Sequence, residues 1–287
     1  AMISLTIARL TFREASRRWV LWVALVLGAL FLVVYGLAFH SIYQDFQKDT
    51  STQSRLIVSE AYNFFLLAGL YVVNFMCVLM TVLTSVDTLS GEISSGTIHT
   101  IVSKPVRRWE VVLGKYLGFA GMLSLYLLLM AGGVVAVVAL ISGYTAPNFL
   151  RGLALIWLNI LMLLGVSLLG GSILSTLANG VVVFGLYGIA FIGSWIEQFA
   201  TLIQRADPTA NTQTALLIGI LCSLIFPSET LWKRAAYEMQ SPVVSALGGF
   251  SLFSSASVPS PLMIAYAIAY SVAALGLAIR QFNRRDL

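Results

Sequence analysis

The chain has 287 residues, of which 59% are hydrophobic and only 10% are charged, and its mean hydropathy is +0.90. Because an ordinary soluble domain carries about 25% charged residues, this composition excludes a water-soluble globular protein. It also excludes a disordered chain, since disordered sequences are rich in charge and poor in apolar residues. The two cysteines, Cys77 and Cys222, lie within apolar runs and provide neither a disulfide framework nor a metal-ligand spacing.

The first predicted element is an interfacial helix over residues 3–18. Its charged residues, such as Arg13 and Arg17, fall on one side of a helical wheel, as in helices that lie along a membrane surface. The opposite side carries Leu5, Ala8, Phe12, Ala15 and Trp19.

Long runs without charge come next, and a membrane-spanning helix needs about 20 apolar residues. The run from 152 to 196 is too long for one crossing at about 1.5 Å per residue. We divide it at Ala178-Asn179-Gly180, because Asn and Gly tolerate the left-handed conformation that ends a helix. Six spans are thereby predicted: Trp19–Phe39, Tyr62–Val86, Leu117–Ile141, Leu153–Leu177, Val181–Ile203 and Leu262–Ile279.

The distribution of basic residues predicts the orientation of these helices. Of the 17 Lys and Arg residues, four precede the first helix, four lie between the second and third, and three follow the sixth. The positive-inside rule puts such clusters in the cytoplasm. Six crossings satisfy this rule for all three clusters, so a multi-pass protein of the cytoplasmic (inner) membrane with both termini in the cytoplasm is expected.

Residues 205–261 form a long outer segment in this topology. Its apolar run Ala215–Phe226 ends at Pro227 and has only 12 residues, which predicts a re-entrant or interfacial piece. Glu229–Met239 is predicted to form an amphipathic helix that lies partly at the interface. Glu197, near the outer end of the fifth helix, is the only acidic residue expected close to lipid depth.

The segment 87–115, between the second and third helices, combines mixed charges, helix breakers and apolar residues. Gly96-Thr97 can end one helical piece and begin another with Thr97 as its N-cap, and Pro105 ends the second piece. The pattern predicts a short, rigid element parallel to the membrane surface that suits docking of a soluble partner, because the apolar Ile98, Ile101 and Val102 need a partner surface. The alternative is a solvated turn whose arginines only set the topology.

This segment resembles the region between helices two and three in permease subunits of type-2 ATP-binding-cassette (ABC) exporters. The resemblance rests on a Gly-Glu, a Gly-Thr, a Lys-Pro-Val-Arg-Arg-x-Glu and a Leu-Gly-Lys. Where that family often has leucines before the proline, this chain has Ile101, Val102 and Ser103. The residues that match the motif are Gly91, Glu92, Gly96, Thr97, Pro105, Val106, Arg108, Gly114 and Lys115.

The resemblance implies an all-α integral membrane protein with six transmembrane helices and a cytoplasmic coupling helix between helices two and three. It also implies two permeases, identical or paralogous, between two ATPase subunits that bind ATP and Mg²⁺. This chain has no phosphate-binding loop, so we expect no enzymatic activity and no cofactor of its own, and no nucleic-acid partner. The residues expected to take part in coupling are Gly91, Glu92, Gly96, Thr97, Ile98, Ile101, Val102, Pro105, Arg107, Arg108, Glu110, Gly114 and Lys115.

The expected function is export of an amphipathic or lipid-linked substrate. Asn74 and Asn159 lie within predicted spans, where a buried amide either hydrogen-bonds a neighbouring helix or lines a substrate path. A second interpretation keeps the fold and makes the chain relay force to an extracytoplasmic partner, for which the outer segment would be the docking site. A third, a stand-alone carrier, conflicts with the absence of charged residues at the centres of the six spans.

Overall fold

The computed structural model describes residues 2–48, 55–94, 107–241 and 259–284, and within these ranges every regular element is a helix. The predicted fold class, an all-α integral membrane protein, is confirmed. The helices are α1 Met2–Arg17, α2 Trp19–Lys48, α3 Arg55–Ser85, α4 Asp87–Ser94, α5 Arg108–Ser142, α6 Phe149–Ile173, α7 Thr176–Ala206, α8 Gln213–Ile225, α9 Ser228–Met239 and α10 Pro261–Arg284.

Six of these stretches are long and apolar enough to cross a membrane: α2, α3 continued by α4, α5, α6, α7 and α10. Their number agrees with the six charge-free spans, although several helices extend well beyond the apolar run, as α2 does to Lys48. We call the end of the bundle with Arg17, Arg107 and Arg284 the basic end. Helix α6 lies at the centre, with 67% of its most apolar window buried, whereas α2 lies outside with 6%.

The break between α6 and α7 lies at Leu174 and Ser175, four residues before the predicted Ala178-Asn179-Gly180. Both residues have extended backbones, and Ser175 occupies the N-cap position of α7. Asn179 lies inside α7 and does not end a helix. Its side-chain amide instead donates hydrogen bonds to the carbonyl oxygens of Val86 and Ser167. A residue that resembled a helix terminator therefore joins α7 to two other helices.

Helix α1 packs lengthwise on the start of α5, and its buried face differs from the predicted apolar face. Leu5, Phe12 and Trp19 are exposed, whereas the small residues Ala15 and Thr11 are buried. Glycines on α5 make this close approach feasible. The large apolar residues of α1 are thus left free to contact lipid.

Helices α8 and α9 form a hairpin on the α7 side of the bundle, opposite the basic end, with a bend of 102° at Phe226 and Pro227. Helix α8 packs along α7, where Gly193 faces Cys222. The tip is anchored by the Phe226 ring, 5.9 Å from that of Tyr270, which is nine residues into α10. Nine residues correspond to roughly 14 Å of helix, so the tip reaches about the middle of the bundle.

Helix α9 returns from this tip through the interior. The sequence predicted a partly interfacial helix, but nine of its 12 residues are buried, including Glu229 and Lys233. Its far end is held by Asn63, whose side-chain amide donates to the Met239 carbonyl oxygen at 3.0 Å. The hairpin therefore inserts a polar helix into the bundle that no count of apolar residues reveals.

Candidate functional site

The segment predicted to couple the chain to a partner is described at its two flanks, residues 87–94 and 107–115. Both flanks lie at the basic end, where α3 ends and α5 begins. The residues of the predicted site that lie outside the described ranges are Gly96, Thr97, Ile98, Ile101, Val102 and Pro105.

The entry flank is α4, which continues α3 after a turn at Val86. Asp87 opens this helix, and its carboxylate folds back over Gly91, so that any Cβ at Gly91 would overlap the carboxylate oxygens. The Thr176 hydroxyl donates to Asp87 Oδ1 at 3.1 Å. A larger residue at Gly91 would therefore displace the Asp87 carboxylate from this position.

The exit flank begins with a capping arrangement at the start of α5. The backbone N–H of Arg107 donates to Glu110 Oε2 at 3.3 Å, and Glu110 is buried. Arg108 Nη1 donates to the carbonyl oxygen of Asn283 at 3.5 Å, which joins this flank to the last turn of α10. Glu110 therefore fixes the start of the helix rather than offering its charge to the surface.

A buried ion pair between Glu92 and Lys115 joins the two flanks. The Lys115 side chain is only 5% exposed, and its ammonium group also donates to the carbonyl oxygen of Thr88 at 3.0 Å. A buried pair of this kind is held by geometry, because removing one partner leaves a charge without compensation and costs about 3–5 kcal/mol. The residues on either side of 95–106 are therefore clamped to each other.

The junction of α3 and α4 is also tied to the junction of α6 and α7. The Ser85 hydroxyl donates to Ser167 Oγ at 2.7 Å, and the Ser90 and Thr176 hydroxyls lie 2.8 Å apart. The sequence analysis did not single out this contact. The signal was available in the polar side chains Thr81, Thr84, Ser85 and Thr88, which recur at helical spacing within an apolar helix.

Gly114 and Gly118 lie beneath α1 rather than at the surface. A Cβ at Gly114 would stand 2.7 Å from side-chain atoms of Ile7, and one at Gly118 would stand 2.7 Å from the carbonyl oxygen of Ala8. Of the predicted coupling residues, Gly114 and Lys115 are thus internal supports of the site. Glu92, Arg107 and Arg108 retain partial exposure.

Asn74 and Asn159 meet inside the bundle, between α3 and α6. Asn159 Nδ2 donates to Asn74 Oδ1 at 3.2 Å, and each residue is only 1% exposed. The interhelical hydrogen bond is the arrangement expected of buried amides between membrane helices.

A second polar cluster lies in the α9 half of the bundle, and the sequence analysis did not predict it. Lys233 Nζ contacts Glu197 Oε2 at 2.7 Å, between α9 and α7. Glu229, one turn earlier on α9, is 4% exposed. Glu197 is therefore not the only acidic residue within the apolar depth of the protein.

A family model described as "ABC-2 family transporter protein" matches residues 5–287. A search of curated proteins found no similar sequence. The matched range includes both flanks of the clamped segment and the α8–α9 hairpin.

Proposed function

The chain belongs to the ABC-2 family of transporter proteins, and from that premise we propose that it exports an amphipathic or lipid-linked substrate with energy from a separate ATPase subunit. A permease of this family has no nucleotide-binding domain of its own, so ATP and Mg²⁺ bind to the partner. Two permease copies, or this chain and a paralogue, complete the transporter.

The clamp between Glu92 and Lys115 is the observation that supports this proposal. Force applied to residues 95–106 by a docked ATPase would pass through both flanks at once, because the ion pair makes them move together. The entry flank continues α3 and the exit flank continues α5. A small displacement at the docking segment would thus tilt two spans as one unit.

The ties to α6 and α7 extend this unit. The Ser85–Ser167 hydrogen bond and the Asn179 amide link the end of α3 to the next helical junction. Arg108 adds a contact with the end of α10. A rigid basic end of this kind suits a switch between inward-facing and outward-facing states, in which packed elements shift between discrete arrangements.

The basic end faces the cytoplasm in this proposal. The arginines of α1, together with Arg107, Arg108, Arg280 and Arg284, lie there, and the positive-inside rule assigns such a cluster to the cytoplasm. The docking segment then faces the compartment that contains ATP. Cysteine labelling of Arg108→Cys from either side of sealed inverted vesicles tests this orientation.

The test of coupling uses the full transporter reconstituted with its ATPase. Glu92→Gln should lower substrate-stimulated ATP hydrolysis and transport together while co-purification with the ATPase persists, because the docking surface remains and the clamp is lost. The charge-reversed pair Glu92→Lys with Lys115→Glu should restore part of the coupling. The matched control is Asp45→Asn, since Asp45 pairs with Lys48 within α2, at the end of the bundle away from the clamp.

Two results would contradict the proposal. One is wild-type coupling in Glu92→Gln, and the other is transport by the purified chain without any ATPase. If ATP hydrolysis in the wild-type complex responds to an extracytoplasmic protein but to no lipidic compound, the chain relays force instead of moving cargo.

A further inference from the structure

The α8–α9 hairpin carries an acidic side chain to the middle of the bundle. Glu229 follows the tip at Phe226 and Pro227 by two residues and faces Tyr187. Tyr187 lies 11 residues into α7, which corresponds to roughly 16 Å from the basic end of that helix. Since the hydrocarbon core of a bilayer is about 30 Å thick, the Glu229 carboxyl group lies near its centre.

The surroundings of Glu229 leave its charge only partly compensated. The neighbouring cation, Lys233, is engaged by Glu197 at 2.7 Å, so the cluster contains two acids and one base. The Tyr187 hydroxyl lies next to Glu229 and interacts with its carboxyl group, while Glu229 Oε1 has no hydrogen-bond partner among the described residues. An acid buried in this way is costly to keep within a membrane and commonly marks a binding or transport site.

Aromatic rings surround this carboxyl group. Tyr71 lies within electrostatic range of Glu229, and its ring centroid is 5.0 Å from that of Trp232. Tyr187 contributes a third ring from α7. A carboxylate with aromatic faces around it is the combination that recognises organic ammonium groups, through charge pairing and cation–π attraction.

An apolar groove extends from the basic end toward this cluster and ends one aromatic side chain short of it. It lies between α2 and α3, has a volume of about 350 Å³, and its α3 side extends from Val72 to Leu83. That stretch is roughly 16 Å long, about half the thickness of the hydrocarbon core. Phe75 lines the groove, and its ring centroid is 6.3 Å from that of Tyr187. One aromatic contact therefore separates the groove from the residues around Glu229.

We propose that Glu229 binds the ammonium group of a cationic amphiphile whose hydrocarbon chain occupies the groove between α2 and α3. This inference rests on the proposed transport function and specifies the charge of its cargo. An anionic amphiphile would meet an acid that is only partly compensated, and a neutral one would gain nothing from it. Such a site would select by charge at Glu229 and by chain length along the groove.

Binding to the full-length chain in lipid nanodiscs tests this assignment. The probe is radiolabelled dodecylamine, compared with dodecanol and dodecanoate, which share its chain and differ in charge. Wild-type protein should retain dodecylamine at least about tenfold more tightly than either analogue, and Glu229→Gln should reduce dodecylamine to the level of dodecanol. Leu79→Trp, which fills the groove, should weaken all three probes.

The matched control is Glu238→Gln on the same helix, because Glu238 pairs with Arg234 and Arg151, away from the groove. It should bind dodecylamine as the wild type does. Size-exclusion profiles and unfolding curves of each variant distinguish lost binding from lost structure. Equal binding of dodecylamine by wild type and Glu229→Gln, or equal binding of dodecanoate and dodecylamine by wild type, would overturn the assignment.

This measurement involves neither the ATPase nor ATP, so its outcome is separate from that of the coupling test. Failure to bind dodecylamine would remove the assignment of Glu229 and leave the ATPase-driven permease intact. Conversely, selective binding in a chain that couples to no ATPase would support the site while contradicting the proposed function.

Discussion

Two Lys–Glu pairs join helices at opposite halves of the bundle, and they differ in what surrounds them. Lys115 and Glu92 form a pair whose lysine also has a backbone acceptor and whose acid is 24% exposed. Lys233 and Glu197 form a pair with exposures of 10% and 15%, and a further buried acid lies one turn away. The first pair has one acid and one base, whereas the second cluster has two acids and one base.

This difference separates a structural clamp from the proposed binding site. A balanced pair connects two elements and can be exchanged for apolar side chains at little cost in stability, since burial of charge is itself expensive. A pair beside a further acid cannot be replaced by apolar side chains in the same way, because its lysine is the counter-charge of two carboxyl groups. The comparison therefore predicts different responses to the same lysine substitution.

The largest effect is expected for Lys233→Met. The substitution removes the cation that Glu197 and the buried Glu229 share, and we expect the free energy of unfolding to fall by about 3–5 kcal/mol, measured by titration with sodium dodecyl sulfate. Adding Glu229→Gln should recover part of that loss, because one of the two acids is removed. Stability within about 1 kcal/mol of wild type in the single variant would contradict the excess-charge interpretation.

Lys115→Met should destabilise the chain less, by about 2–3 kcal/mol, because water reaches part of the remaining Glu92 carboxylate. The same unfolding titration measures it. Replacing both partners, with Glu92→Leu and Lys115→Met, should restore stability but leave ATP hydrolysis uncoupled. If the double variant stays as unstable as the single one, the pair is not a balanced clamp.

A smaller effect is expected for Gly114→Leu, which forces α1 away from α5. Overpacking of this kind costs about 1–3 kcal/mol, and α1 should become more sensitive to limited proteolysis. The control is Gly132→Leu on the same helix, where a Cβ has no neighbour within 4 Å. Equal protease sensitivity of α1 in the two variants would argue against close packing of α1 at the clamped end.

The smallest effect is expected for Asn74→Leu, which removes a balanced, uncharged link between α3 and α6. Interhelical hydrogen bonds in membranes contribute about 0.6–1.7 kcal/mol, so the loss should lie in that range. A double-mutant cycle with Asn159→Leu should return a coupling energy of similar size. A coupling energy of zero would mean that the two amides stabilise the fold independently.

The spans were predictable because the absence of charge over about 20 residues has a direct physical meaning in a bilayer. The length of an apolar run does not, however, show where a helix ends within it. Asn179 looked like a helix terminator in the sequence, but its amide bonds two other helices. The same side-chain amide can favour a helix end or form hydrogen bonds to other helices, and only the fold shows which of the two occurs.

The second polar cluster was missed for a related reason. Ala215–Phe226 is too short to cross, so the residues after it were expected at the interface. In the structure Pro227 turns the chain inside the bundle, and Glu229 becomes buried. The packed face of α1 was also predicted wrongly, since the small residues Thr11 and Ala15 are buried while the large Leu5 and Phe12 are exposed. In the segment 87–115, Glu92 and Lys115 were both predicted as coupling residues but not as partners of one ion pair, because separation along the sequence does not give distance in space.

The hairpin also constrains the order in which the protein can be made. Helix α9 contains Glu229, Lys233 and Arg234, so it cannot partition into lipid as an isolated segment. Its binding surface is provided chiefly by α6 and α7, which precede it in the chain, with smaller contributions from α3 and α10. We therefore expect α6 and α7 to insert into the membrane first. Helix α9 then packs against them in a late step of assembly and is not inserted as a separate span.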